Sequence, residues 1–164
     1  METSKDSRDP VPESTIRELL TWIAYARDAA WAAKLAILRM TRGEDIALFG
    51  EHLREHDRHA TELAQLVRAA EPRRTVPDEP QFLVRDALVI GALDRDEAVI
   101  AAMVGIEETR IARYEQRGRC PVGAPTSMID ALLERHLADA RGRFAALRRR
   151  PVAPTATFRK GLAA

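Results

Sequence analysis

Cysteine is almost missing from this chain. Cys120 is the only one in 164 residues, so no disulfide can form within the chain, and a lone thiol suits a reducing compartment. Charge of one sign is missing too: the formal net charge is +1, which leaves no global field to draw the chain to nucleic acid. Long apolar runs are absent. The apolar stretch after Ala29 is broken by Lys34 and Arg39, and DALVIGAL (86–93) is too short to span a bilayer, so no membrane association is expected. The opening METSKDSRDPVPES has no apolar core of a signal peptide, and a cytoplasmic location is the expectation. The eight glycines are scattered singly, which excludes a phosphate-cradling loop, and no Cys–His pair stands at a spacing suited to nucleophilic catalysis. The sequence leans away from an enzyme.

What remains is helix-forming. Aromatics make up 5% and charged residues 31%, with Ala, Leu, Arg and Glu dominant, side chains that lose little freedom on a helix. Residues 1–13 and the basic tail 150–164 are expected to be disordered, and 14–149 to form one domain. A first helix, capped by Ser14 or Thr15, is expected to run to about Thr41 along the seam Leu19, Ile23, Ala26, Ala30, Ala33, Ile37 and Met40. A second stripe that includes Trp31, Leu35 and Leu38 widens its apolar arc. Trp22, Tyr25 and Trp31 serve either a homodimer surface or the covering of a later segment. A second helix covers about 44–70, with the seam Ile46, Phe49, Leu53, His56, Ala60, Leu63 and Val67. Three prolines in EPRRTVPDEP (71–80) end it, and 81–93 reads as a short helix or a buried strand, with helix preferred for want of a pairing strand. A third helix spans about 94–116 (Ile100, Val104, Glu107, Ile111, Tyr114). A fourth runs from Thr126 or Ser127 to about 149 (Ile129, Leu133, His136, Ala140, Phe144, Leu147). Two hairpins joined by a long link predict an all-α antiparallel four-helix bundle with one long crossover between the second and third helices, the ferritin-like arrangement.

Three seam positions are polar: His56, Glu107 and His136. Counted from the turns, all three fall near mid-height, and Asp28 on the first helix reaches the same level beside the seam. A buried His or Glu needs a partner, because an unpaired buried polar group costs about 1–3 kcal/mol. Two imidazoles and a carboxylate at one height make either a structural hydrogen-bonded layer or, with Asp28, a candidate site for iron, manganese or zinc. His52 and His59, one turn to either side of His56, are expected to be partly exposed, with no ligand role.

The segments ALFGEHLREHDRHATELAQL, VGIEETRIARYEQ and ALLERHLADARGRFAAL resemble bacterial ferritin-like domains of unknown function, over about residues 14–148. The resemblance implies a bundle with two halves related by an approximate twofold axis. Di-iron members carry Glu on the first and third helices and Glu-x-x-His on the second and fourth. This chain departs from that pattern. Leu53 and Leu133 stand where the bridging carboxylates belong if His56 and His136 are the histidines, and Asp28 stands where the first Glu would be. A hemerythrin-like set is missing its first-helix His. The leading expectation is therefore a non-catalytic scaffold or stress-associated protein without a cofactor. The alternatives are a metal-binding oxidoreductase or iron-handling protein using Asp28, His56, Glu107 and His136, and a cargo or adaptor protein whose basic tail meets a protein partner.

Overall fold

The computed structural model describes residues 11–83, 85–117 and 127–150. Most of these are helical, with no strand among them: α1 (Glu13–Arg39), α2 (Gly43–Ala70), α3 (Arg85–Val89), a 3-10 turn at Ile90–Ala92, α4 (Asp96–Arg117) and α5 (Ser127–Arg148). Within the stretch 81–93, residues 85–92 are thus helix and 3-10 turn, as the lack of a pairing strand predicted. Its side chains differ from the expected cover in one respect, since Phe82, Leu83, Leu88 and Val89 all stand exposed. The start of α1 differs from expectation. Pro12 occupies the cap position without a side-chain hydrogen bond, and Thr15, one candidate cap, is buried inside the first turn. A proline fits there because its fixed φ leads into a helix and its missing N–H is not needed. The expected disorder of 1–10 and of the tail 151–164, the turn at Gly118, Cys120 and a cap at Thr126 all lie outside the described residues.

α1 and α2 pack most closely, because α1 turns a face of small side chains toward the core: Ala26, Ala29, Ala33 and Ala36 are all buried. Phe49, Leu63 and Val67 fill the α2 side, and Ile100, Met103 and Ile106 the α4 side, each completely buried. A side chain of that size contributes about 1.5–3 kcal/mol when withdrawn from water. Trp22 and Tyr25 belong to this packing, and neither forms an outer face. Trp22 stacks on Tyr114 of α4 at 4.2 Å between centroids, and Arg113 sits 4.4 Å over the Tyr25 ring. Trp31 meets Phe82 edge to face at 6.5 Å, so it does serve to anchor the crossover.

Polar pairs tie the helix ends together. Arg74, just beyond α2, meets Glu13 at the start of α1 at 3.0 Å; Arg117 at the end of α4 meets Glu18 at 2.6 Å. At the opposite end of α1, the Thr41 hydroxyl donates to Asp96 at the start of α4 at 2.8 Å. Arg150, just past α5, meets Asp45 at the start of α2 at 3.2 Å. Between them the chain from 71 to 95 returns along α1, held midway by Asp28. The Gln81 and Phe82 backbone N–H groups donate to Asp28 Oδ1 at 2.8 Å each, and the Leu83 N–H donates to Oδ2. Phe82 adopts φ 53°, a left-handed conformation costly for a bulky residue, which that triple grip on consecutive amides holds in place.

Candidate functional site: two polar layers between the hairpins

α2 and α5 behave differently from the close pairs. Their backbones stay apart along most of their length, and long charged side chains bridge the gap. The polar residues expected in the core sit here, and they sort into two layers.

The inner layer centres on Glu107, completely buried on α4. His56 Nε2 stands 3.1 Å from its Oε1, close in distance though poorly aligned for a hydrogen bond. Arg143 Nε donates to the same oxygen at 3.0 Å, and Arg110 Nη1 is 3.8 Å from Oε2. Arg110 also approaches His56 Nδ1 at 2.5 Å. A guanidinium can only donate, so His56 Nδ1 accepts and its proton sits on Nε2, facing the carboxylate. Burial, and then Arg110, hold the His56 pKa well below its ordinary value. Burial alone would raise the Glu107 pKa, yet His56, Arg110 and Arg143 together hold it well below the usual carboxylate range. Arg143 also pairs with Glu55. Two arginines against Glu107 and Glu55, with His56 neutral, make the layer charge-balanced.

The outer layer is built from a repeat that is visible in the sequence but was not among the expected motifs. Arg58-His59-x-x-Glu62 on α2 and Arg135-His136-x-x-Asp139 on α5 carry the same R-H-x-x-acid pattern. At that spacing all three polar groups share one helix face. The two motifs pair crosswise. Arg58 and His59 both reach Asp139, at 2.7 and 2.9 Å, while Arg135 and His136 both reach Glu62, at 3.0 and 2.8 Å. Between the carboxylates the two imidazoles stack, 3.6 Å apart and 17° from parallel. Each His donates through Nε2 to a carboxylate, which leaves its Nδ1 as a buried acceptor with no hydrogen-bond partner. Burial lowers both pKa values. For His136 the Glu62 carboxylate offsets this only in part and the value falls to about 4, while His59 is pushed lower still, with the facing His136 adding to burial.

Of the four expected ligand residues, His56 and Glu107 are brought together, His136 pairs with His59 and Glu62, and Asp28 is committed to the crossover amides. Among the described residues no group of three or more His, Cys, Asp or Glu is gathered to hold a metal ion. The donor set around Glu107 does not fit a metal pair either: two guanidinium groups already neutralise its carboxylate, and Leu133 is buried where a bridging acid would be needed.

Several residues were misjudged from sequence. His52 and His59 are buried, not partly exposed, and Arg110 and Arg143 are core residues. On α4 the buried face runs through Ile100, Met103, Glu107, Arg110 and Tyr114, which leaves Val104 and Ile111 partly exposed. On α5 Arg143 is buried where Phe144 was expected. On α5 a strict alternation of four and three residues from Ile129 points to Arg143; on α4 the faces through Val104 and Ile111 and through Met103 and Arg110 alternate equally well, so spacing did not separate them. No family model matches the chain, and neither a curated protein nor a solved structure does.

Proposed function

We propose that this chain is a ferritin-like antiparallel four-helix bundle that works without a metal cofactor, as a non-catalytic scaffold. The antiparallel arrangement is supported by the end-to-end pairs. The start of α1 meets the ends of both α2 and α4, and the start of α2 meets the end of α5, the order of two hairpins with a returning crossover. The repeated R-H-x-x-acid motif, once in each hairpin and paired crosswise, supports an approximate twofold relation between the halves.

The observation that carries the functional reading is the pair of arginines on Glu107. In a di-iron bundle the mid-level carboxylates face metal cations. Here guanidinium groups supply the positive charge, and they hydrogen-bond directionally where a metal would coordinate. The test is metal content. Untagged protein should carry far less than one equivalent of iron, manganese or zinc by elemental analysis, and anaerobic Fe(II) titration should show no saturable site. Stoichiometric iron that is lost on Glu107→Ala would overturn the reading.

A second observation supports a homodimer. Phe82, Leu83, Leu88 and Val89 on the crossover and Leu38 on α1 are all exposed, and Leu38 is one turn beyond Leu35, which packs beside Gly91. We infer that this face pairs with a second copy. Light scattering at tens of micromolar should give a dimer, converted to monomer by Leu88→Asp with an unchanged thermal midpoint; a wild-type monomer refutes it.

A further inference from the structure

Below the outer layer, between α2 and α5, runs a groove of about 270 Å³ lined by Leu48, Glu51, His52 and Glu55 on one side and by Ala138, Asp139, Gly142, Arg143 and Ala146 on the other. Its floor contains an unsolved requirement. His52 is only 2% exposed, yet neither of its ring nitrogens has a hydrogen-bond partner. Its ring contacts are the edges of Phe49 and His56, which satisfy neither nitrogen. Burial lowers its pKa to about 4, with the Glu107 charge offsetting only part of that, so at neutral pH it is an uncharged imidazole with one donor and one acceptor. Buried polar groups in folded proteins nearly always have partners, and His52, with both ring nitrogens unmatched beside a groove, asks what fills the groove.

The rim answers in terms of charge. Of the lining carboxylates, Glu55 pairs with Arg143, itself committed to Glu107, and Asp139 is shared by Arg58 and His59, which leaves Glu51 as the exposed rim carboxylate to meet a cation. The α5 wall is made of Ala138, Gly142 and Ala146, one turn apart each, so it presents a narrow apolar track. A Cβ added at Gly142 would meet nothing within 4 Å, which shows that the track is open there. Glu51 and Glu55 stand a turn apart on α2 and Asp139 lies opposite on α5, so the acids are not gathered about one point, which disfavours a metal ion and favours an organic cation.

We propose that this groove binds a small linear organic ammonium ion of the alkyl diamine class. One ammonium donates to the His52 acceptor nitrogen at the floor, the alkyl chain lies against the open track at Gly142, and the other ammonium meets Glu51 at the rim. The occupant supplies the partner that His52 lacks. Neutral and anionic molecules of the same shape are excluded by the acidic rim.

Isothermal titration of the full chain with 1,4-diaminobutane at neutral pH and moderate salt tests this. Saturable one-to-one binding is expected, with no response to 1-butanol, butyrate or Mg²⁺. Gly142→Leu fills the track and should weaken binding at least tenfold. Glu51→Gln, at an exposed position, should weaken it several-fold, and neither variant should lower the thermal midpoint. The proposal is overturned by an absence of saturable binding, by an equal response to Mg²⁺, or by unchanged affinity in Gly142→Leu. A groove that holds only water gives the first of these results.

Discussion

Acidification should unfold this protein well above the pH at which its carboxylates protonate. The reason is four buried, uncharged histidines, His52, His56, His59 and His136, whose pKa values are all lowered by burial. In the unfolded chain each returns to about 6.5. A group with a depressed folded pKa binds its proton more readily when unfolded, so for a histidine the folded state has its full stability above pH 6.5 and loses it as pH falls toward the folded pKa. For His52 and His136, lowered to about 4, that window runs from pH 6.5 to 4. At pH 5 each then costs about 2 kcal/mol, 1.5 units at about 1.4 kcal/mol per unit. Together they remove about 4 kcal/mol, before His56 and His59 add their share, from a total that for a domain of this size is about 5–15 kcal/mol. Urea denaturation followed by helical circular dichroism at pH 7.5, 6.5, 5.5 and 5.0 measures this directly. The stability should be flat between pH 7.5 and 7 and then fall steeply. His52→Leu, which removes both the titration and the unpartnered nitrogens, should make the fall shallower. A stability that stays level or rises between pH 7 and 5 refutes the reasoning, because it would mean that the imidazoles are already charged or accept protons without loss.

Removing Arg143 as Arg143→Met should destabilise the chain by about 3–5 kcal/mol, because Glu107 keeps its buried charge with one guanidinium fewer. The pair Glu107→Leu with Arg143→Met should cost clearly less than the two single changes summed, and an additive double-mutant cycle contradicts the coupling. Asp28→Ala should lower stability by about 3 kcal/mol and raise amide hydrogen exchange at residues 81–83 while α2 and α5 keep their protection, since its carboxylate accepts three consecutive backbone N–H groups. Trp22→Ala should cost about 3–5 kcal/mol, read as a lower denaturation midpoint at pH 7.5, since it empties the stack on Tyr114.

Helix number and order were legible because apolar periodicity and proline placement are local signals. The prolines after Ala70 and the seams through Phe49, Leu63 and Ile100 need no knowledge of what faces them. The mid-level polar residues were legible in part: register alone put His56 and Glu107 together. The arginines were not, because a charged residue at a seam position is ordinarily rotated outward, and what keeps Arg110 and Arg143 inside is an acid on another helix. Asp28 shows the same limit from the other direction. Its height was correct, but its partners are backbone amides of a segment 53 to 55 residues away, which no side-chain pattern marks.

The two layers also explain why the gap between α2 and α5 is polar at all. An apolar seam there would be stable in several registers, since Leu and Ala pack almost as well one turn up or down. The crossed motif allows one register: shifting α5 by a turn would move Asp139 off Arg58 and His59 and move His136 off Glu62 at once, leaving buried groups unpaired at both places. Polar pairs add little net stability over well-packed apolar ones, so what they contribute is selection among alternatives. Their neutrality depends on the histidines staying uncharged, so the feature that fixes the register also sets the lower pH limit of the fold. An Arg58→Leu, Glu62→Leu, Arg135→Leu, Asp139→Leu quadruple variant separates the two effects. It should keep its helix content while its amide signals broaden from exchange between registers. A single sharp set of signals in that variant would show that the apolar core alone decides how the hairpins meet.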